Sequence, residues 1–221
     1  QKDKSVILAV IGKEPVHEGI KIVGSHIDSP RLDLKANPVH EQDGIVYFRT
    51  HYYGGIKKYQ WTCIPLALIG VVFTKDGKKV DINIGLKDSD PVFYVSDLLI
   101  HMAQDQMKKT LAEGITGEQL QAVAGTHSEE GQTPKDAIMA LLKKEYGIEE
   151  EDFAAAELEL VPATKSRDVG FDRSLIASYG QDDRVCSYAN LEAILDAKPG
   201  VKTQAALLTD KEEIGSYGNT G

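Results

Sequence analysis

Nearly continuous apolar runs near both ends of the chain restrict the fold more than any other feature. They cover residues 5–11, 20–24 and 205–208. The first of these runs is typical of a strand that is buried on both faces of an α/β sheet. Residues 185–197, just before the last run, have apolar side chains at helical spacing, namely Val185, Tyr188, Leu191 and Leu195. The two ends of the chain are therefore expected to form one α/β core.

The stretch between these ends predicts antiparallel β-structure. Residues 44–53 are rich in β-branched and aromatic side chains. Residues 71–74 and 80–84 flank an Asp76–Gly77 pair, which is typical of a tight hairpin turn with positive φ angles.

Helical signals follow the β-rich stretch. Ser96 is expected to cap a helix that ends near Gly114, and Thr133 a second helix that ends before Gly147. We therefore expect an α/β core from residues 1–33 and 166–221, and a β-rich plus helical inserted domain from residues 34–165.

Composition excludes several classes of function. With 25 basic and 34 acidic residues the net charge is −9, which argues against nucleic-acid binding. The longest apolar stretch, residues 64–73, is far shorter than the ~20 residues of a membrane span. Cys63 and Cys186 lie far apart and suggest no disulfide scaffold. We expect a cytoplasmic protein with neither nucleic-acid nor membrane partners.

Acidic and imidazole side chains cluster where three of these elements end or begin. His26 and Asp28 follow one apolar run, Glu212 and Glu213 follow another, and an Asp182–Asp183 pair precedes the helix. Ligands of open α/β sheets bind at the carboxyl ends of the strands, so the three clusters are expected to meet in one crevice. A histidine with several carboxylates suits zinc, manganese or a similar divalent ion.

The spacing within each cluster suggests roles. His26 can bind a metal while Asp28 accepts the hydrogen of its second ring nitrogen. One of Glu212 and Glu213 can bind a metal while the other acts as general base, and Asp182 can bridge two ions. Each pattern alone also fits ordinary structure: a surface hydrogen-bonded pair, an exposed helix start or a helix cap. Together they favour a metal centre.

These clusters resemble the metal-site motifs of a known family. Three segments are similar to the three motifs of the M18 peptidases, the aspartyl aminopeptidase and aminopeptidase I type. They are GSHIDSP at 24–30, QDDR at 181–184 and DKEEIGS at 210–216. The segments at 53–55 and 99–101 also match, so the likeness covers nearly the whole chain. The resemblance implies an aminopeptidase-like α/β core of the zinc exopeptidase type that hydrolyses peptides.

The resemblance also implies a role for each motif residue. His26, Asp182 and Glu213 match the family's metal ligands, with Asp182 as the bridging carboxylate. Asp28 matches the residue that orients the histidine, and Glu212 matches the general base. The implied cofactor is a pair of zinc ions, with manganese or cobalt as substitutes.

An assembly is implied as well. His101 matches a histidine of the inserted domain that reaches the substrate site of a neighbouring subunit. The apolar residues 45–48 and 64–73 look too extensive to remain exposed, so we expect a homo-oligomer in which dimers build a larger assembly.

The chain departs from the family at three places. Asp183 stands where family members often have Asn, which leaves open whether Asp182 or Asp183 is the bridging residue. Residues 56–61 differ from the aspartyl type, so no preference for acidic N-terminal residues is implied. The remaining family ligands, an Asp and a His, are expected beyond Gly221. The best interpretation is part of a zinc-dependent aminopeptidase. The alternatives are a non-catalytic assembly module or inactive fragment, and a metallohydrolase with another substrate.

Overall fold

The structure, a computed structural model, describes residues 4–215. Residues 1–3 and 216–221 lie outside this range, among them Ser216, the last residue of the third motif. The chain forms two compact units, one from the residues up to Pro30 and from Ser178 onwards, the other from Arg31 to Ala177. The expected bounds of the inserted domain were 34 and 165. The second unit is longer because β-structure starts directly at Arg31 and a short hairpin at residues 167–177 belongs to it.

The strands of the described residues are, in chain order, β1 (Val6–Val10), β2 (Ile20–His26), β3 (Arg31–Gln42), β4 (Ile45–Tyr53), β5 (Pro65–Phe73), β6 (Lys79–Ile84), β7 (Phe93–Tyr94), β8 (Ala122–Gly125), β9 (Ala156–Pro162), β10 (Arg167–Val169), β11 (Leu175–Ala177) and β12 (Thr203–Thr209). The α-helices are α1 (Leu111–Gly114), α2 (Pro134–Tyr146) and α3 (Gln181–Asp196). Short 3-10 helices lie at Val16–Glu18, Lys58–Trp61, Gln106–Lys108, Gly117–Gln119, Glu150–Ala155 and Glu212–Ile214.

The first unit contains the expected α/β elements. Its sheet has the order β1-β12-β2, and α3 packs on it. Strand β12 runs parallel to β2, in a register that places Thr209 opposite His26. The carboxyl ends of both strands therefore lie side by side, as the sequence predicted. The expectation that the first strand is buried on both faces was wrong, since Ile7 is 69% exposed in β1.

Helix α3 presents a different face to the sheet than the sequence predicted. Val185, Tyr188 and Leu195, three of the expected apolar positions, are exposed. Ser187 and Ile194 are the buried positions of the helix instead. The reason is that polar side chains of α3 hydrogen-bond to the end of β2, as described below.

The second unit is a closed antiparallel β-barrel. Its sheet has the order β6-β5-β7-β8-β4-β3-β9, and a further pairing of β5 with β9 closes it. The barrel core includes the fully buried side chains of Leu32, Val46, Phe48, Leu66 and Leu160. Residues 45–48 and 64–73 contribute several of these side chains. The argument that both segments are exposed and must meet another subunit was therefore wrong.

The predicted hairpin is present, but its turn differs. Strands β5 and β6 pair antiparallel, with Phe73 opposite Lys79. Among residues 74–78, Gly77 has a φ of +80° while Asp76 has no positive φ. A type I′ turn on Asp76 and Gly77 needs positive φ at both residues, and here residues 74–78 connect the paired ends of the strands, so the turn is a longer one.

The two predicted helices of the inserted region have opposite outcomes. Helix α2 matches the prediction, with Thr133 as its cap and Gly147 in the left-handed conformation at its end. The helix expected after Ser96 is replaced by turns, the 3-10 helix Gln106–Lys108 and the four-residue α1. Asp97 accepts hydrogen bonds from the amide of Leu98 and the side chain of Gln106, and such local bonds compete with helix formation. Nowhere in residues 4–215 is there a helix with the length and apolar character needed to cross a membrane.

Candidate metal centre

Three segments of the first unit converge on one small region. Strand β2 ends at His26, helix α3 begins with Asp182 in its first turn, and the 3-10 helix after β12 contains Glu213. One potential ligand atom from each of these side chains lies within 4.8 Å of the other two. The structure therefore brings together the three residues that the motifs predicted as ligands.

His26 is held so that one ring nitrogen faces the acidic side chains. The residue is 8% exposed. Its Nδ1 lies 2.9 Å from the backbone carbonyl oxygen of Asp28 and 3.3 Å from the Asp28 carboxylate. Its Nε2 lies 3.0 Å from Asp182 Oδ1 and 3.7 Å from Glu212 Oε2. With Nδ1–H donating to the carbonyl, Nε2 faces the acids and donates its proton to Asp182 when the ring is protonated. Loss of that proton would leave the Nε2 lone pair facing the acids, which is the tautomer a metal ligand needs.

Surrounding charge shifts the pKa of His26 upwards. Burial alone would lower it, but the hydrogen bonds to Asp28 and Asp182 and the charges of Asp28 and Glu212 outweigh burial. The ring therefore faces a net negative charge, which also favours a bound cation.

The Asp28 carboxylate mainly orients the turn that contains the two glutamates. The side chain is almost fully buried, and its two oxygens accept the backbone N–H groups of Glu212 and Glu213, each at 3.2 Å. The sequence predicted a role on His26. The nearer partner of the ring is instead the backbone carbonyl of Asp28. Asp28 thus connects the end of β2 to the acidic turn after β12.

Replacing Asp28 by Asn should weaken zinc binding by about 10–100-fold in the full-length protein, because an amide accepts at only one of its two polar atoms. Its NH₂ group would face a backbone N–H and displace the acidic turn. Asp196→Asn, on the exposed end of α3, is the matched control and should bind zinc as tightly as wild type. Competition with a chromophoric chelator measures both affinities. Equal affinities would show that Asp28 does not orient the site.

Asp182 and Asp183 have different surroundings, although the sequence places them side by side. The side chain of Asp182 is 86% exposed and faces His26 Nε2. The carboxylate of Asp183 accepts the backbone N–H of His26 at 3.4 Å. A hydrogen bond from the Cys186 thiol, more than any other contact, lowers the pKa of Asp183. Of the two, Asp182 is the one placed to bind a metal.

The two adjacent glutamates also differ. The side chain of Glu212 is 59% exposed and lies near His26 Nε2. Burial is the main cause that raises the pKa of Glu213, and the carboxylates of Asp182, Asp28 and Glu212 raise it further. A nearby positive charge would relieve this repulsion, so Glu213 has the environment expected of a metal ligand.

Polar residues that sequence reasoning missed hold the segment before α3 in place. Ser29 Oγ donates to the backbone carbonyl of Asp182 at 3.2 Å, and the Tyr179 hydroxyl donates to the carbonyl of Pro30 at 2.7 Å. Gly180 adopts a φ of +75°, and a Cβ there would approach Ser29 Oγ to 3.0 Å. The one sequence signal was the S-P pair at 29–30, which predicted where the strand ends but not these contacts.

The residues present fit a zinc ion. One imidazole and two carboxylates are ordinary zinc ligands, and bonds of about 2.0–2.2 Å place ligand atoms up to about 4.2 Å apart. The present separations are at most 4.8 Å, so small side-chain rotations would bring all three to one ion.

His101 belongs to the second compact unit and lies on an exposed turn. It is therefore not among the residues that form the cluster in the first unit. Cys63 and Cys186 are both free thiols and exposed, so they form no disulfide with each other.

Comparison with known proteins gives a consistent result. The sequence model of the family described as aminopeptidase I zinc metalloprotease (M18) matches residues 1–221. A probable M18 family aminopeptidase 1 from Clostridium acetobutylicum is 52% identical over 224 residues, which cover 100% of this chain and 48% of that protein. The chain thus spans about half the length of the curated relatives it matches.

Solved structures agree with the fold. The crystal structure of aminopeptidase I from Clostridium acetobutylicum is 50% identical, with a TM-score of 0.93 over 100% of this chain and 49% of that one. An M18 family aminopeptidase from Thermotoga maritima is 44% identical, with a TM-score of 0.89 over 99% of this chain and 51% of that one. The architecture is therefore that of these aminopeptidases.

Proposed function

Because the chain belongs to the M18 family of zinc metalloproteases, we propose that it supplies part of the catalytic centre of an aminopeptidase that removes N-terminal residues from peptides. The observation that carries the proposal is the convergence of His26, Asp182 and Glu213 within 4.8 Å. Three ligands cannot complete two tetrahedral zinc sites. We propose two ions, for which Asp182 would be the shared ligand. The relatives are about twice as long as this chain, and the further ligands, an Asp and a His in the family, would come from the part it does not span.

Each of the site residues then has a defined task. Nε2 of His26 and the carboxylates of Asp182 and Glu213 would hold the metal. Bound zinc supplies Lewis acidity that polarises the scissile carbonyl and lowers the pKa of water. Asp28 keeps the acidic turn in place through the two backbone N–H groups it accepts.

Glu212 is the general base in this proposal. Its carboxylate is exposed and lies 3.7 Å from His26 Nε2, so it can reach a water at the metal site. It takes a proton as the water oxygen bonds to the carbonyl carbon. It then gives the proton to the amide nitrogen as the C–N bond breaks, which releases the amino acid and the shortened peptide amine.

The test is peptide hydrolysis by the zinc-loaded full-length protein. Peptides with a free α-amine should lose single N-terminal residues, while N-acetylated peptides of the same sequence should stay intact. A non-catalytic assembly module would cleave neither. Cleavage of acyl or phosphoryl esters in preference to peptides would indicate a different metallohydrolase.

We also propose that the protein forms a homo-oligomer through the second unit. Apolar side chains next to His101 are exposed, and Leu99 and Met102 are each 70% exposed. An apolar patch of this kind is typical of a subunit interface. Sedimentation velocity of the full-length protein should give a mass above that of the monomer. A monomer at micromolar concentration would contradict the proposal and leave His101 without a neighbouring site.

A further inference from the structure

The backbone of His26 is bonded to α3 through two side chains of that helix. Its N–H donates to Asp183 Oδ2 at 3.4 Å, and its carbonyl accepts from Ser187 Oγ at 2.8 Å. Both bonds come from the helix that also contains Asp182. The position of His26 relative to Asp182 therefore depends on contacts between β2 and α3.

Ser187 is part of a longer hydrogen-bond chain. The hydroxyls of Ser187 and Ser25 are 3.0 Å apart, and Asn190 Nδ2 donates to Ser25 Oγ at 3.0 Å. A hydroxyl has one proton to donate. Since Ser187 gives its proton to the His26 carbonyl, Ser25 supplies the proton between the two hydroxyls, and Asn190 supplies the one to Ser25. Every donor in this hydrogen-bond chain points towards His26, an arrangement in which each bond strengthens the next.

The location of Ser187 is unusual for a helix that packs on a sheet. It is 7% exposed, at a position where an apolar side chain would ordinarily face the strands. A buried hydroxyl is favourable only when it is hydrogen-bonded, and here its partner is the backbone of a predicted metal ligand.

We propose that Ser187, supported by Ser25 and Asn190, is a positioning residue that sets the distance between the His26 imidazole and the Asp182 carboxylate, 3.0 Å in this structure. The inference rests on the proposed metal centre. Without the Ser187 hydroxyl, the His26 carbonyl loses its link to α3. The peptide that follows is then held only on its N–H side, by the 2.8 Å bond from the Ile27 N–H to the Thr209 carbonyl. A small rotation about that bond shifts the imidazole relative to the Asp182 carboxylate.

The test compares metal binding by variants of the full-length protein. Ser187→Ala should lower zinc affinity about 10-fold or more, the effect expected when a residue that orients a ligand is lost. It should also change the visible spectrum of the cobalt(II) form, because the ligand geometry changes. Ser187→Thr keeps the hydroxyl and should restore both, and Asn190→Ala, at a less buried position, should give a smaller change in the same direction.

Ile194→Val is the matched control for lost stability. Ile194 is buried on the same helix and belongs to no part of the hydrogen-bond chain, so this variant should keep wild-type zinc affinity and the wild-type cobalt spectrum. If Ser187→Ala keeps both as well, the inference is wrong while the metal centre stands. If the wild-type protein binds neither zinc nor cobalt, the proposed metal centre fails, and the positioning role fails with it.

Discussion

Replacing Glu212 by Gln should lower kcat for peptide hydrolysis by about 10²–10⁴-fold, the usual contribution of a general base. Glutamine has the shape of glutamate but cannot take the proton from the attacking water. The backbone N–H of residue 212 still reaches Asp28, so the turn should keep its conformation. Zinc content should therefore equal that of wild type.

The measurement pairs steady-state kinetics with metal analysis of the same samples. Glu192→Gln, an exposed glutamate on α3, is the matched control and should keep both turnover and zinc. Turnover of Glu212→Gln near wild type would show that another group is the base. Loss of zinc together with turnover would show that Glu212 is a ligand instead.

Replacing the neighbouring Glu213 by Gln should have the opposite pattern. One oxygen of Glu213 is within 4.8 Å of the ligand atoms of His26 and Asp182, so losing its negative charge removes a direct metal contact. The zinc dissociation constant should rise by more than the roughly 10–100-fold that loss of an orienting residue costs. Turnover should return in part at high zinc concentration, since the base is intact.

Competition with a chelator measures the affinity, and a zinc titration measures the recovery of activity. Wild-type affinity in Glu213→Gln would remove this residue from the ligand set. Turnover that stays low at saturating zinc would assign it a part in the chemistry itself. The two adjacent substitutions thus separate metal binding from proton transfer.

The convergence of the three motifs was accessible from sequence because it depends on topology. Parallel strands end at the same edge of a sheet, and the pairing of β12 with β2 places Thr209 opposite His26. The residues that follow both strands are therefore neighbours, whatever the conformations of their side chains. Helix α2 was predictable for a different reason, since its cap and its final glycine are local signals.

The orientation of α3 was not accessible from sequence. Periodicity selected Val185, Tyr188 and Leu195 as the buried face, yet these side chains are exposed and Ser187 is buried. Hydrogen bonds to the end of β2 decide the rotation of this helix, and hydrophobic spacing contains no information about them. The one sequence signal was that the polar residues 187 and 190 lie on the same helix face as Ile194.

The different surroundings of adjacent acidic residues were likewise beyond sequence. Asp182 faces an imidazole while Asp183 binds a backbone amide, and Asp28 binds the turn of the two glutamates as well as the ring. Which partner each carboxylate faces depends on the direction of the backbone over two or three residues. A motif records which residue types are present, but not which way each one points.

The most direct test of the metal centre is anomalous diffraction from crystals of the full-length protein grown with zinc, recorded on both sides of the zinc absorption edge. The proposal predicts two anomalous peaks: carboxylate oxygens of Asp182 lie about 2.0–2.2 Å from both, and His26 Nε2 and a Glu213 oxygen each lie at that distance from one of them. Zinc bound elsewhere, with these three side chains contacting no ion, would contradict it.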